Sequence, residues 1–164
     1  MSKQQSEVPD AFRARILVRF ADCDPAGIVF YPRYLEMVNA FVEDWCREGL
    51  KLSMNELISV RRWGLPTVHL NIDFFGPSRM GERLCASLGV HRLGRSSIHL
   101  EVVFKGPDGS DRMRARIVLV LTELDAHRAR PIPEDLRARI AAYCIPTPEK
   151  DLHASSATTT LGAP

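Results

Sequence analysis

The chain has 164 residues, 45% of them hydrophobic, which fits one globular domain with a substantial core. Its Lys and Arg residues number 22 and its Asp and Glu residues 20, so the formal net charge is only +2. The strong basic excess typical of nucleic-acid-binding domains is therefore missing. No apolar run approaches the ~18 residues of a membrane span, and the first ten residues do not resemble a signal peptide. We expect a cytoplasmic protein that binds neither nucleic acid nor membrane.

The cysteines give no sign of a metal site or a disulfide framework. They are irregularly spaced, form no C-x-x-C pair and lack the spacing of zinc ligands. The four are Cys23, Cys46, Cys85 and Cys144. We expect no metal and no redox cofactor.

The two ends differ in composition from the middle of the chain. Residues 1–10 are polar, and residues 146–164 are rich in small and polar side chains. Such segments bury little apolar surface to offset the entropy of ordering. We therefore expect a disordered N-terminus, one domain over residues 11–145, and a flexible tail over residues 146–164.

Five segments alternate apolar and polar residues with period two, which is typical of strands that bury one face. They cover residues 12–20, 68–74, 84–90, 98–104 and 113–121. Turn residues at 93–95 and 106–109 separate the last three segments. These short links predict antiparallel neighbours.

One long segment instead has the period of a helix. Its apolar residues fall at i, i+4, i+7 and i+11 from Tyr34 to Trp45, Pro32 suits the first turn, and Gly49 suits the position past the end. This predicts a helix over residues 32–48, with a shorter one over residues 133–143. An antiparallel sheet with one apolar face can curl around such a helix. The predicted fold is thus α+β, the hotdog arrangement, with about five strands wrapped around one long central helix.

The run from Asp22 to Pro32 lies between the first strand and this helix. Its Asp, Pro and Gly residues suit an ordinary loop and helix entry. A second interpretation is chemical, because amides at a helix start lack intrahelical partners and favour negative charge. Pro32 has no N–H, so the amide of Tyr31 is free to polarise a carbonyl beside a loop carboxylate. Those two groups are what hydrolysis of a reactive ester requires.

The run DCDPAGIVFYPRYLEM resembles the signature of the 4-hydroxybenzoyl-CoA thioesterase family within the hotdog superfamily. The resemblance extends over residues 16–143 and includes GLPTVHLNIDF, LGRSS and IPEDLRARI. It implies hydrolysis of an aromatic, 4-hydroxybenzoyl- or benzoyl-like acyl-CoA, with Asp24 as catalytic carboxylate and the Tyr31 backbone N–H as carbonyl donor. Whether Asp24 is a nucleophile or a general base stays open. For Asp22 we expect a role in stabilising the turn or tuning its neighbour.

The resemblance also implies a binding site for the CoA nucleotide. It falls on Arg95 and Ser96, with Ser97 as a further candidate, although Ser96 stands where the family pattern leads one to expect a cation. His69 is either a wall of the acyl pocket, a group that orients water, or a surface residue. The family pattern further implies subunits joined edge to edge with active sites across the interface, and a homotetramer built as a dimer of dimers.

Two other functions fit the same fold. A hotdog dehydratase or hydratase would pair a histidine with a carboxylate on a different loop, and no such pair is evident. A non-catalytic acyl-CoA-binding module would not need the carboxylate of Asp24.

Overall fold

The computed structural model describes residues 11–146. Its strands are β1 (Phe12–Leu17), β2 (Trp63–Gly64), β3 (Thr67–Phe74), β4 (Arg83–Leu93), β5 (Ser97–Lys105), β6 (Asp111–Val120), β7 (Thr122–Glu123) and β8 (Arg128–Ala129). Its α-helices are α1 (Tyr31–Asp44) and α2 (Glu134–Ala141), with short helical turns at Phe20–Asp22, Trp45–Gly49 and Glu56–Val60. The disorder predicted for residues 1–10 and for the tail concerns residues outside this range, apart from Pro146.

The main sheet has the strand order β1-β4-β5-β6-β3, and every neighbouring pair is antiparallel. All five strands were predicted from their period-two pattern. The inward residues lie in register across the sheet, so that Leu88 faces Val102 and Val102 faces Ala115, each fully or almost fully buried. This alternation gives the sheet one continuous apolar face.

Helix α1 packs on that apolar face. Tyr34, Phe41 and Trp45 are 3%, 1% and 0% exposed, and the ring of Phe41 lies 6.2 Å from that of Phe104 on β5. The helical rotation continues past α1 through the turn Trp45–Gly49, as the predicted range of residues 32–48 requires. The predicted α+β hotdog arrangement is confirmed.

Two details of the predicted strands are wrong. The first strand ends at Leu17 rather than Phe20, because the chain turns into a 3-10 helix that leaves Phe20 82% exposed. On β3, the apolar residues Val68, Leu70 and Phe74 are 59%, 42% and 50% exposed instead of buried. β3 is an edge strand of the sheet, so its apolar side chains have neighbours on one side only.

A second, small sheet was not predicted. It has the order β2-β7-β8 and consists of two-residue strands, which are too short to show a period. All four cysteines are free thiols. Within residues 11–146, no helix has the length and apolar character needed to span a membrane.

Candidate active site

The loop that carries Asp24 folds back on itself immediately before α1. The amide of Asp24 donates to the carbonyl of Ile28 at 3.0 Å, and the amide of Phe30 donates to the carbonyl of Asp22 at 2.9 Å. Gly27 turns the chain at a φ of +75°, a conformation that favours glycine. The loop is therefore a tight hairpin that delivers the chain directly into the helix.

The two carboxylates of the hairpin have different local partners. Asp22 Oδ2 accepts the amide of Arg19 at 2.7 Å and closes the 3-10 turn, which corresponds to the first of the two roles considered for it. Asp24 Oδ1 accepts the amide of Ala26 at 2.8 Å, whereas Asp24 Oδ2 receives no hydrogen bond within residues 11–146. Asp24 is only partly exposed. One oxygen of Asp24 is thus held by the loop, and the other is available to a ligand.

The amide at the start of α1 is the second element of the predicted site. The helix begins at Tyr31, followed by Pro32, which has no N–H to donate. No residue between 11 and 146 accepts a hydrogen bond from the Tyr31 amide. The Tyr31 side chain is 63% exposed. A donor with favourable helix-end polarity therefore lies in the same loop–helix unit as Asp24.

A short segment that follows β3 in the chain holds this hairpin in place through hydrogen bonds. The carbonyl of Ser78 accepts the amide of Val29 at 2.9 Å, and the amide of Met80 donates to the carbonyl of Gly27 at 3.1 Å. The hydroxyl of Tyr34 on α1 donates to Ser78 Oγ at 2.7 Å. Ser78 is fully buried. Ser78 therefore connects the hairpin, through its backbone, to the helix, through its side chain.

The predicted nucleotide-binding turn joins β4 to β5. It is closed by a hydrogen bond of 2.8 Å from the Gly94 amide to the Ser97 carbonyl. Arg95 is exposed and Ser96 is partly exposed. Ser97 Oγ lies 3.4 Å from Nε2 of His99, a contact whose donor depends on the histidine tautomer. The pKa of His99 lies below its ordinary value, because burial and then the charge of Arg92 disfavour the protonated ring.

Asp24 and this turn lie at opposite ends of one subunit. Leu17, at the end of β1, pairs with Arg83 at the start of β4, and the turn follows the last residue of that strand. Since β4 has 11 residues, the two ends are ~35 Å apart along it. Asp24 and Tyr31 therefore lie in the same hairpin and helix start, whereas Arg95, Ser96 and Ser97 lie at the other end of β4 within one chain.

A cavity lies between α1, β3 and the small sheet. Its volume is 550 Å³, and most of its lining is apolar. The side chains include Leu35, Val38, Val42, Met54, Leu57, Ile58, Leu65, Leu70, Ile117, Leu119 and Leu124, with Asn39, Glu43 and Thr67 as the polar ones. Neither Asp24 nor Tyr31 lines it. His69 does not line it either, because it alternates with Leu70 and pairs with Val118 on the other face of the sheet.

The sequence identified the run from Asp22 to Pro32 as a candidate site, but it did not predict that Ser78 holds this run in place. Ser78 lies in a turn-like stretch with no distinguishing pattern. Its role becomes visible only from the residues that it contacts in the folded protein. The one available signal was Tyr34, whose hydroxyl lies on the apolar side of the helix and must find a partner when buried. Within residues 11–146, no group of three or more His, Cys, Asp or Glu side chains could hold a metal ion.

The antiparallel sheet, the central helix and the carboxylate hairpin at the helix start together define a hotdog fold of the thioesterase type. The chain belongs to the thioesterase-like superfamily, whose family model matches residues 18–140. Membership in the narrower 4-hydroxybenzoyl-CoA thioesterase family stays a prediction.

Individual relatives point in the same direction. Over 73 residues the chain is 40% identical to the curated 1,4-dihydroxy-2-naphthoyl-CoA hydrolase of Synechocystis sp., a match that covers 44% of this chain and only 52% of that protein. The crystal structure of a 1,4-dihydroxy-2-naphthoyl-CoA thioesterase from Synechocystis has a TM-score of 0.74 at 28% identity, and covers 80% of this chain and 96% of its own. A gentisyl-coenzyme A thioesterase structure has a TM-score of 0.70 at 26% identity, covering 79% and 99%. Hydrolysis of a CoA thioester is the activity that these names share.

Proposed function

We propose that this protein is an acyl-CoA thioesterase that hydrolyses an aromatic acyl-CoA to the free acid and CoA. The observation that carries the proposal is the pairing of a carboxylate with an open oxygen, Asp24, and an unbonded helix-start amide, Tyr31, in one loop–helix unit. The names of the relatives favour the same chemistry.

In the proposed mechanism, the Tyr31 amide donates to the thioester carbonyl oxygen and stabilises the negative charge that develops there. Asp24 then acts in one of two ways. As a nucleophile, its oxygen bonds to the carbonyl carbon, the carbon–sulfur bond breaks and CoA leaves as thiolate, after which water cleaves the acyl-aspartyl anhydride. As a general base, Asp24 takes a proton from water, and that water attacks the carbonyl directly. Single turnover in ¹⁸O-water identifies the nucleophilic route when water attacks the aspartyl carbon of the anhydride, because the product then carries an oxygen from Asp24 and the label enters Asp24.

The proposed active centre includes residues of two subunits. The nucleotide-binding turn lies ~35 Å along β4 from the Asp24 hairpin, so one chain cannot present both to the same CoA. A two-fold axis beside β3 would reverse the strand direction and bring the turn of one subunit towards the hairpin of the other. β3 favours such pairing because it is an edge strand with exposed Val68, Leu70 and Phe74, a surface that proteins normally cover. The tetramer is proposed as two such dimers.

Light scattering tests this assembly. Leu70→Glu places a charge in the proposed interface and should yield monomers, whereas Arg13→Glu, on the opposite edge strand β1, should keep the wild-type mass. A wild-type monomer, or a Leu70→Glu variant of unchanged mass, would contradict edge pairing through β3.

We assign the acyl group to the apolar cavity beside β3. Its lining suits a ring or another compact apolar group, and Asn39, Glu43 and Thr67 at its wall can hydrogen-bond ring substituents. The relatives are named for dihydroxynaphthoyl-CoA and gentisyl-CoA, which are hydroxylated aromatic thioesters. A benzoyl- or 4-hydroxybenzoyl-like substrate is the particular case we propose. A panel of acyl-CoA esters assayed for kcat/KM decides it, and preference for long aliphatic chains would contradict it.

The central experiment compares two carboxylates of the same hairpin. Asp24→Asn should lower kcat by roughly 10²–10⁴ while CoA-ester binding is retained. Asp22→Asn, which keeps an acceptor for the Arg19 amide, is the matched control and should change kcat little. Tyr31→Phe should also have little effect, because the donor is the backbone N–H. Binding without hydrolysis of any acyl-CoA would instead favour the binding module, and hydration of an enoyl-CoA would favour the hydratase.

A further inference from the structure

The turn between β4 and β5 is contacted by a positively charged side chain from another part of the chain. Arg137 on α2 places Nη2 2.7 Å from the carbonyl oxygen of Gly94 and 3.3 Å from that of Arg95. The turn itself offers a single cation, Arg95, followed by Ser96 and Ser97. A guanidinium from 42 residues further along the chain therefore lies at the turn.

Within residues 11–146, no carboxylate lies within 4.0 Å of Arg137 or Arg95, whereas Arg139 on the same helix pairs with Asp135 at 3.4 Å. Arg137 is half-buried, and its recorded hydrogen bonds all use Nη2. Its other N–H groups, out of the five that a guanidinium carries, donate to no residue within 11–146.

The anchoring also fixes the position of the guanidinium. A side chain already held by two backbone carbonyls loses less conformational freedom when it binds a ligand than a freely rotating surface arginine. Guanidinium groups present a planar array of donors that matches phosphate oxygens. The geometry therefore offers a pre-positioned donor next to the exposed Arg95.

We propose that Arg137 binds a phosphate group of CoA together with Arg95, and so adds a second guanidinium to the turn. This inference rests on the proposed function for the identity of the ligand. It assigns to α2 a role in binding the nucleotide, in addition to covering the core with Leu136 and Ile140.

The experiment measures KM for two thioesters of the same acyl group, the CoA ester and the N-acetylcysteamine ester, which lacks the nucleotide. Arg137→Gln should raise KM for the CoA ester about tenfold with kcat unchanged, and this rise should shrink at high salt. KM for the truncated ester should not change. Arg137→Lys keeps the positive charge but not the planar set of guanidinium donors. Its KM for the CoA ester should therefore lie between that of Arg137→Gln and that of the wild type.

Arg139→Gln is the matched control. Arg139 lies on the same helix and also donates to a carbonyl, that of Leu50 at 3.0 Å, but its partners Leu50 and Asp135 are not part of the turn. It should leave KM for both esters at the wild-type value. An equal rise for both esters in Arg137→Gln would show that Arg137 only shapes the turn, and no rise for either would show that it does not bind the ligand. Both results would overturn the inference.

Titration calorimetry with CoA itself separates this inference from the proposed function. If the wild-type protein hydrolyses no acyl-CoA but binds CoA, and Arg137→Gln weakens that binding, the function fails and the role of Arg137 stands. Equal affinity of the two proteins for CoA, or no binding by the wild type, would refute the role of Arg137. Dephospho-CoA as a second titrant distinguishes the 3′-phosphate from the diphosphate as the group bound.

Discussion

The buried contact between Tyr34 and Ser78 allows a quantitative prediction about what holds the active-site hairpin in place. The Tyr34 hydroxyl donates to Ser78 Oγ at 2.7 Å, with the two residues 3% and 0% exposed. Tyr34→Phe keeps the ring in the core but leaves the Ser78 hydroxyl buried without this partner. The free energy of unfolding should fall by ~1–2 kcal/mol, the cost of an unsatisfied buried polar group. For a chain of this size, that lowers Tm by roughly 2–8 °C.

The assay is urea unfolding followed by tryptophan fluorescence, for Tyr34→Phe, Ser78→Ala and the double variant. Because both single variants break the same bond, the double variant should lose less stability than the two single losses added together, with a coupling of about 1 kcal/mol. Additive losses would show that the two hydroxyls do not interact. Single variants as stable as the wild type would refute the argument that this bond supports the hairpin.

Three further outcomes follow from other contacts. The pKa of Glu101 lies below the ordinary carboxyl value, chiefly because of the hydrogen bond from His91. The ionised Glu101 therefore stabilises the folded protein at pH values above the pKa of this group in the unfolded chain. That stabilisation is lost as the pH falls through the pKa of Glu101 in the folded protein. Urea midpoints from neutral to acidic pH should fall less steeply for Glu101→Gln than for the wild type. Burial raises the pKa of Cys46 to about 12, so this thiol should react with a disulfide reagent only after the protein unfolds. Cys46→Ser should therefore lower the number of reactive thiols in denaturant but leave that number unchanged in the folded protein. Gly89→Ala places a methyl group 2.5 Å from Ile145 Cδ1 and should cost about 1–3 kcal/mol, a loss that should shrink when Ile145→Ala is added.

The sequence was sufficient to predict the strands and the helix that bury one face in the core. The five strands and the central helix each show a period, because alternate residues of β4, for example, meet either the core or the outer face. Phe20 was misplaced because an apolar residue in phase with a strand can still lie in a turn. β2, β7 and β8 have two residues each, which is fewer than any period requires.

The candidate site was predictable only as far as it is local in sequence. Asp24 and the Tyr31 amide lie in one continuous motif, so their place in the same hairpin and helix start follows from the chain itself. Ser78 and Arg137 reach their partners across 44 and 43 residues, and nothing in a single sequence records such contacts. The exposure of β3 was also unpredictable, because period-two alternation does not reveal whether a strand lies at the edge of a sheet.

The ~35 Å separation along β4 has a consequence for mixed populations of subunits. If each centre combines the hairpin of one copy with the turn of the other, a copy damaged at the hairpin and a copy damaged at the turn are each inactive alone. Paired with each other, they form one doubly defective centre and one with every part intact. Mixing the two inactive proteins would then restore activity, a complementation between alleles that two self-contained subunits could not show.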